Sequence, residues 1–305
     1  MEKYRKKLIK NAAVFDGHSS GLAHGKKIVI EDDLVTEITG DEVSEENFGE
    51  VFDGTGMVAM PGMTDAHVHM GCLFAKGEFP VDYATVLTVA KCKDALMAGF
   101  TTFRDAGSVS EGLKLAFDEG VLPGPRIYPC GAYISQTCGH GDSEYAHTYR
   151  DIQYRHPSST VLVDGVPEII RAVREQFYRG ASHIKLMATE ILNRHEDIRL
   201  LFGTDMMITG PDYQVEQSED IRYYEKRFGT MRALRALTGT ANEVFALTTY
   251  QNPYPKGKIG VLEAGSYADL LLVDGDPTKS VSVLADTDHL RLIMKGGTVY
   301  KNTLC

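Results

Sequence analysis

Short apolar strands alternate with helical patterns through the middle of the chain, and this alternation restricts the fold more than any other feature. The strands are predicted at 57–69, 101–107, 126–131 and 183–188, and the helices at 81–100, 112–120 and 167–181. Strand–helix alternation is typical of parallel βα units. Polar residues stand at the C-terminal ends of these strands, which is the edge where a (β/α)8 barrel keeps its active site.

His67 and His69 close the first of these strands, in the sequence PGMTDAHVH. Side chains alternate between the two faces of a strand, so the two histidines project together, and Asp65 shares their parity. Neutral imidazole is the commonest metal ligand in proteins. Two alternating histidines also occur on strands that bind nothing, so the pair indicates a metal site only through its context.

The two ends of the chain are predicted to be β-rich. Segments 8–17, 26–40, 258–277 and 290–302 alternate apolar and polar residues and stop at glycines. Asp53-Gly54 and Gly296-Gly297 are suited to hairpin turns. We therefore predict a small β domain formed by 1–59 together with 254–305, interrupted by a central domain at 60–253.

Composition excludes several classes of partner. The formal net charge is −10, which disfavours nucleic acid and anionic membranes as partners. No apolar stretch approaches the roughly 20 residues of a membrane span, and no apolar segment typical of a signal peptide follows the basic N-terminus. The five cysteines are scattered without a CxxC motif, which favours reduced thiols and a cytoplasmic location.

Several motifs, in order along the chain, resemble those of the amidohydrolase superfamily. The resemblance implies a (β/α)8 TIM-type barrel and a small β-sandwich. Within the superfamily the chain looks most like the branch of imidazolonepropionase-related and Xaa-Pro dipeptidase-like enzymes. The motifs are PGMTDAHVH (61–69), TTFRDAG (101–107), IKLMAT (184–189), LLFGTD (200–205) and KIGVLEAGSYADLLLVDGDP (258–277).

The resemblance also implies a set of site residues. His67, His69, Lys185 and Asp205 correspond to metal ligands, with Lys185 carboxylated by carbon dioxide so that it bridges two divalent ions. Zinc is the expected ion, with manganese or cobalt as alternatives. Asp205 would also be the catalytic proton shuttle. His140, flanked by glycines in a polar loop, is predicted to contact the substrate.

One spacing departs from the family pattern. A barrel of about 250 residues devotes roughly 30 to each βα unit, so its fourth and eighth strands lie about 120 residues apart. Lys185 and Asp205 are separated by 20 residues. Strands five to seven are therefore missing, with the junction near 189–191, and with them two histidine ligands that the resemblance implies. A deletion in the gene or its assembly, a shortened non-catalytic paralogue and completion by a second chain would each explain this.

The predicted function is metal-dependent hydrolysis of a C–N bond in a small molecule such as a dipeptide or an N-acyl amino acid, by a metal-activated hydroxide. Two alternatives stay open. One is a catalytically impaired homologue or scaffold subunit that lacks two metal ligands. The other is a cyclic-amide hydrolase similar to imidazolonepropionase. The sequence also leaves homo-oligomer formation open.

Overall fold

The secondary structure consists of short strands and helices that succeed one another along the chain. The computed structural model describes residues 6–70, 81–107, 111–137, 139, 141–142, 160–186, 199–207 and 213–304. The helices are α1 (Val81–Met97), α2 (Glu111–Asp118), α3 (Val166–Tyr178), α4 (Tyr213–Phe228), α5 (Thr230–Leu237) and α6 (Gly239–Phe245). Within this part of the chain, no helix combines the length and the apolar character that crossing a membrane requires.

The strands fall into two groups, one near the chain ends and one in the middle. Those near the N-terminus are β1 (Lys6–Lys10), β2 (Ala13–Val14), β3 (Lys27–Glu31), β4 (Leu34–Thr39), β5 (Glu50–Asp53) and β6 (Val58–Pro61). The central strands are β7 (Met63–His69), β8 (Phe100–Asp105), β9 (Arg126–Tyr128), β10 (Tyr133–Ser135), β11 (Thr160–Leu162) and β12 (Met206–Met207). The last three are β13 (Leu270–Val273), β14 (Leu290–Lys295) and β15 (Thr298–Asn302).

Strands from both chain ends build two neighbouring sheets. One sheet has the order β4-β3-β1-β5 and the other has the order β15-β14-β13-β6-β2. Alternation places apolar side chains on the inner face of each strand. Ile9 and Ile28 of the first sheet join Leu270 and Leu292 of the second in one buried apolar cluster. Residues that are far apart in sequence thus form a common core.

One of the two predicted hairpin turns is confirmed. Gly296 and Gly297 connect β14 to the antiparallel β15, both with positive φ, and a Cβ on Gly297 would lie 1.8 Å from the carbonyl oxygen of Asp32. The prediction for Asp53-Gly54 is wrong. That dipeptide leads from β5 of one sheet to β6 of the other, so it joins two sheets and not two paired strands.

The central strands include a parallel sheet in the order β12-β7-β8-β9. Helix α1 connects β7 to β8, and α2 connects β8 to β9, as the alternation predicts. Buried side chains of the sheet, among them Val68, Phe103 and Ile127, pack with Leu96 of α1 and Phe117 of α2. The fold is therefore mixed α/β with parallel βα units, and it holds the C-terminal end of β7 at one edge of a packed core.

The described sheets are open, and the incomplete barrel stays a prediction. Two of its predicted strands differ from the structure. The described part of the predicted fourth strand, residues 183–186, contributes a single parallel bridge, between Leu186 and Ile134 of β10. Residues 201–205 form no regular strand, Asp205 has a φ of +55°, and only the short β12 follows them. The predicted junction at 189–191 lies outside the described residues.

A buried ion pair joins the parallel sheet to the terminal sheets. Arg126 at the start of β9 donates from Nε and Nη2 to the two carboxylate oxygens of Asp269, at 2.7 and 3.1 Å. Asp269, next to β13, also accepts a hydrogen bond from the amide of Gly296 at 2.7 Å. The guanidinium lies 3.8 Å from the ring centroid of Tyr267. This pair fixes the position of the two units relative to each other.

Replacing Asp269 by asparagine should lower the free energy of unfolding by about 3–5 kcal/mol, because it leaves the Arg126 charge buried without a partner. Urea denaturation followed by circular dichroism measures this loss. The control is Asp274→Asn at the exposed pair of Asp274 with Arg291, 3.5 Å apart, where the expected loss is below about 1 kcal/mol. Equal losses in the two variants would contradict the assigned role of the Arg126–Asp269 pair.

Candidate metal centre

The candidate site lies at the C-terminal end of β7, where His67 and His69 project from the same face of the strand. Their ring centroids are 5.4 Å apart. Strand β12 runs parallel to β7 with Met206 opposite Val68, and the amide of Asp205 donates to the carbonyl of His67 at 2.7 Å. The residues that precede β12 are therefore held against the histidine pair.

Asp205 completes the cluster from this neighbouring segment. Its Oδ1 lies 2.9 Å from Nε2 of His67 and 3.1 Å from Nε2 of His69. The three candidate ligand atoms all lie within 4.8 Å of one another. The side chain of Asp205 is 70% exposed, whereas the histidines are largely covered. The cluster thus has a buried imidazole side and a carboxylate that a molecule from solvent can reach.

The close approach of the two segments depends on Gly203. A Cβ at this position would lie 2.7 Å from Cβ of His67 and 3.1 Å from its backbone nitrogen, so any larger residue would force the segments apart. Phe202 fixes the same approach through its backbone, since its carbonyl accepts from Ala66 and its amide donates to Ala236. The Gly-Thr-Asp sequence therefore supplies both the clearance and the ligand.

Asp65 forms hydrogen bonds to both of these segments. Its Oδ1 accepts hydrogen bonds from the amides of His67 and Thr204, both at 3.2 Å. Its Oδ2 accepts from the Thr204 hydroxyl at 2.9 Å and from Nε2 of Gln217 at 3.3 Å. The carboxyl is fully buried, and burial raises its pKa to about 6 despite these donors. At neutral pH Asp65 is an anion that links His67 to the segment that carries Asp205.

Lys185 reaches the cluster from the other side. Its Nζ lies 2.9 Å from Nε2 of His67, and its side chain is partly buried. Burial and the positive charge of Lys185 lower the pKa of His67 to about 4, so this imidazole is neutral near pH 7. Nε2 of His67 therefore faces both a carboxylate oxygen and an amine, and a single nitrogen cannot donate to one and accept from the other.

A divalent cation resolves this conflict and fits the donor set. Neutral imidazole nitrogens and a carboxylate oxygen are the usual ligands of zinc, and they also suit other divalent ions. His67, His69 and Asp205 converge closely enough to hold one such ion, with Lys185 next to them. Among the described residues, this is the one group of three histidine, cysteine or acidic side chains with that geometry.

The structure brings together four residues that the sequence singles out: His67, His69, Lys185 and Asp205. His140 lies outside the described residues, so its predicted contact with a substrate stays a prediction. The supporting roles of Thr204 and Gln217 were missed. The parity that Asp65 shares with the histidines was the available signal, because it places a third polar side chain on their face of the strand.

Comparison with known proteins relates part of this chain to a known family. Residues 58–198 match the model of the amidohydrolase family. The ochratoxinase of Aspergillus niger is 34% identical over 152 residues, which cover 43% of this chain and 31% of that protein. The matching segment thus spans less than a third of the curated relative.

Solved structures share the fold over nearly the whole chain. An amidohydrolase that is 23% identical superposes with a TM-score of 0.83 and covers 97% of this chain and 99% of its own. A prolidase solved with N-methylphosphonate-L-proline is 21% identical, with a TM-score of 0.82 and coverage of 97% and 100%. This chain therefore has an amidohydrolase-type fold.

Gly203→Ala should destabilise the protein by about 1–3 kcal/mol, because the added methyl group forces the 202–207 segment away from β7. Gly112→Ala is the control. No atom lies within 4 Å of the Cβ position of Gly112 in α2, and alanine there should be neutral or stabilising by up to about 1 kcal/mol. Urea denaturation of both variants measures these free energies of unfolding. An unchanged value in Gly203→Ala would contradict the close approach of the 202–207 segment to β7.

Proposed function

We propose that this chain is a member of the amidohydrolase superfamily and a metal-dependent hydrolase of a C–N bond in a small molecule. The substrate class is an amide such as a dipeptide or an N-acyl amino acid. The observation that carries the proposal is the convergence of His67, His69 and Asp205 within 4.8 Å. The names of the similar proteins, an ochratoxinase and a prolidase, are consistent with hydrolysis of a small substrate.

The roles that we propose for the residues follow from the exposure of their side chains. A divalent ion held by the cluster would activate a water molecule and polarise the carbonyl oxygen of the substrate. Asp205, exposed and in contact with both histidines, is placed to accept a proton from the attacking water and to pass it to the departing amine. The partly covered histidines would hold the ion, and Asp205 would exchange protons with solvent and substrate.

Lys185 is the proposed fourth ligand. Addition of carbon dioxide to its amine would produce an anionic carbamate, and the 2.9 Å separation from His67 supports a position beside the ion. Zinc is the expected ion, with manganese and cobalt as alternatives. A second ion would require ligands beyond the three that converge in the described residues.

We also propose that the chain divides at its sheet boundaries. The domains are 1–59 with 254–305 and 60–253, the latter an incomplete barrel that lacks strands five to seven. The cluster that contains Ile9 and Leu270 supports the first unit, and the parallel sheet supports the second. The interval of 20 residues between Lys185 and Asp205 favours, as a second candidate function, a homologue with impaired catalysis.

Replacing Asp205 by asparagine should reduce amide hydrolysis by about 10²- to 10⁴-fold, because the proton acceptor is lost. Release of amino acid from a panel of dipeptides and N-acyl amino acids measures the rate. Asp288→Asn, at an exposed position in another part of the protein, should keep the full rate. Equal rates in the Asp205→Asn variant and the unsubstituted protein would favour the non-catalytic homologue.

Asp65→Asn should weaken cation binding by about 10- to 100-fold, because an amide NH₂ would oppose the donors that hold His67 and Thr204 in place. Competition with a chromophoric chelator measures the affinity for zinc. The exposed Asp53→Asn serves as the matched control and should leave the affinity unchanged. Unaltered zinc affinity in Asp65→Asn would show that the position of the ligands does not depend on this carboxylate.

A further inference from the structure

A second cleft, of about 370 Å³, lies beside the candidate metal centre. Its polar lining includes Arg104 at the end of β8 together with Ser182 and His183, and its apolar wall includes Tyr128 and Phe245. Arg104 connects the two sites, because its Nη1 donates to the carbonyl of Ala66 at 3.3 Å, directly before His67. None of the proposed metal ligands lines this cleft.

The guanidinium of Arg104 lacks a counter-ion in the part of the chain that the structure describes. Its one hydrogen bond there is the contact with Ala66, and no carboxylate lies within ion-pair distance. Burial lowers the pKa of Arg104, which reflects the cost of a poorly solvated charge. A guanidinium carries five N–H donors in a planar fork that matches a carboxylate. Most of these donors stay available to a molecule in the cleft.

Arg126 is a buried arginine with a structural role and serves as a comparison for Arg104. That side chain is paired with Asp269 through both Nε and Nη2 and lies over the ring of Tyr267. Among the residues that the structure describes, Arg104 has neither kind of contact, although it lies one strand away in the same sheet. The difference indicates that the negative charge opposite Arg104 comes from a bound molecule.

The other residues that line the cleft form the surroundings of that charge. Tyr128 and Phe245 are stacked, with ring centroids 3.8 Å apart and planes inclined by 4°, and both are buried, so they form the closed apolar wall of the cleft. The buried Ser182 hydroxyl donates to the carbonyl of Pro129 at 3.0 Å and lies 3.0 Å from Nδ1 of His183, so these two side chains hold each other in place. Thr249 at the rim has a φ of +48°, a conformation that β-branched residues adopt only where their surroundings impose it.

We propose that this cleft binds the carboxylate of a small monoanionic molecule, with Arg104 as the charge partner and the apolar wall of the cleft beside it. Its position next to His67 makes it the subsite for the carboxylate of the amide substrate or of the released amino acid. That assignment of role rests on the proposed function. The binding of a carboxylate in the cleft does not depend on it.

The chain contains no tryptophan, so an indole ligand is a fluorescent probe without background from the protein. Titration of the full-length protein with 3-indolepropionate, followed by fluorescence anisotropy, reports carboxylate binding. The matched neutral ligand is 3-indolepropanol. Neither compound contains an amide bond, so hydrolysis cannot affect the result, and a failure here is distinguishable from a failure of the proposed activity.

The acid should bind about tenfold or more tightly than the alcohol, as expected for a charge-assisted hydrogen bond. Arg104→Gln should abolish this preference, while Asp205→Asn and the exposed Arg199→Gln should retain it. If Arg104→Gln does not fold, Arg104→Lys keeps the charge and should keep part of the preference. Equal affinities of the protein for acid and alcohol, or an undiminished preference in Arg104→Gln, would overturn the proposal.

Discussion

The close approach of β7 to the segment that precedes β12 is the constraint on which the candidate metal centre depends. Gly203 leaves room for it, because no side chain stands between the segment and His67. The amide of Asp205 then bonds to the carbonyl of His67, and Asp65 binds donors from both segments. Two short pieces of backbone, 136 residues apart at their ligands, thus act as one rigid support.

Burial shifts the pKa values of the groups around this support. The fully buried Asp65 has a pKa raised to about 6, and the partly buried His67 has a pKa lowered to about 4. Both groups are therefore in the state that suits a ligand shell at neutral pH, an anionic support and a neutral imidazole. Asp205 remains exposed at the mouth of the cluster, where proton exchange with solvent is easy.

Sequence patterns predicted those parts of the fold that local periodicity determines. The helices α1, α2 and α3, the strands β7 and β8, and the shared parity of His67 and His69 all follow from spacing. Asp205 and Lys185 could be placed only through the resemblance to a family, because neither has a local signal that differs from a turn aspartate or a surface lysine. The supporting contacts of Thr204 and Gln217 with Asp65 depend on tertiary packing, which no local pattern encodes. The same holds for the single bridge of the predicted fourth strand to Ile134, which pairs with β11 on its other side.

Metal analysis of the reconstituted protein tests the central claim most directly. After incubation with zinc and removal of the excess, the protein should retain about one equivalent or more. A protein in which both His67 and His69 are replaced by alanine should retain none at this site. Less than one equivalent in the unsubstituted protein, or equal retention in the double variant, would contradict the assignment of His67, His69 and Asp205 as a cation site.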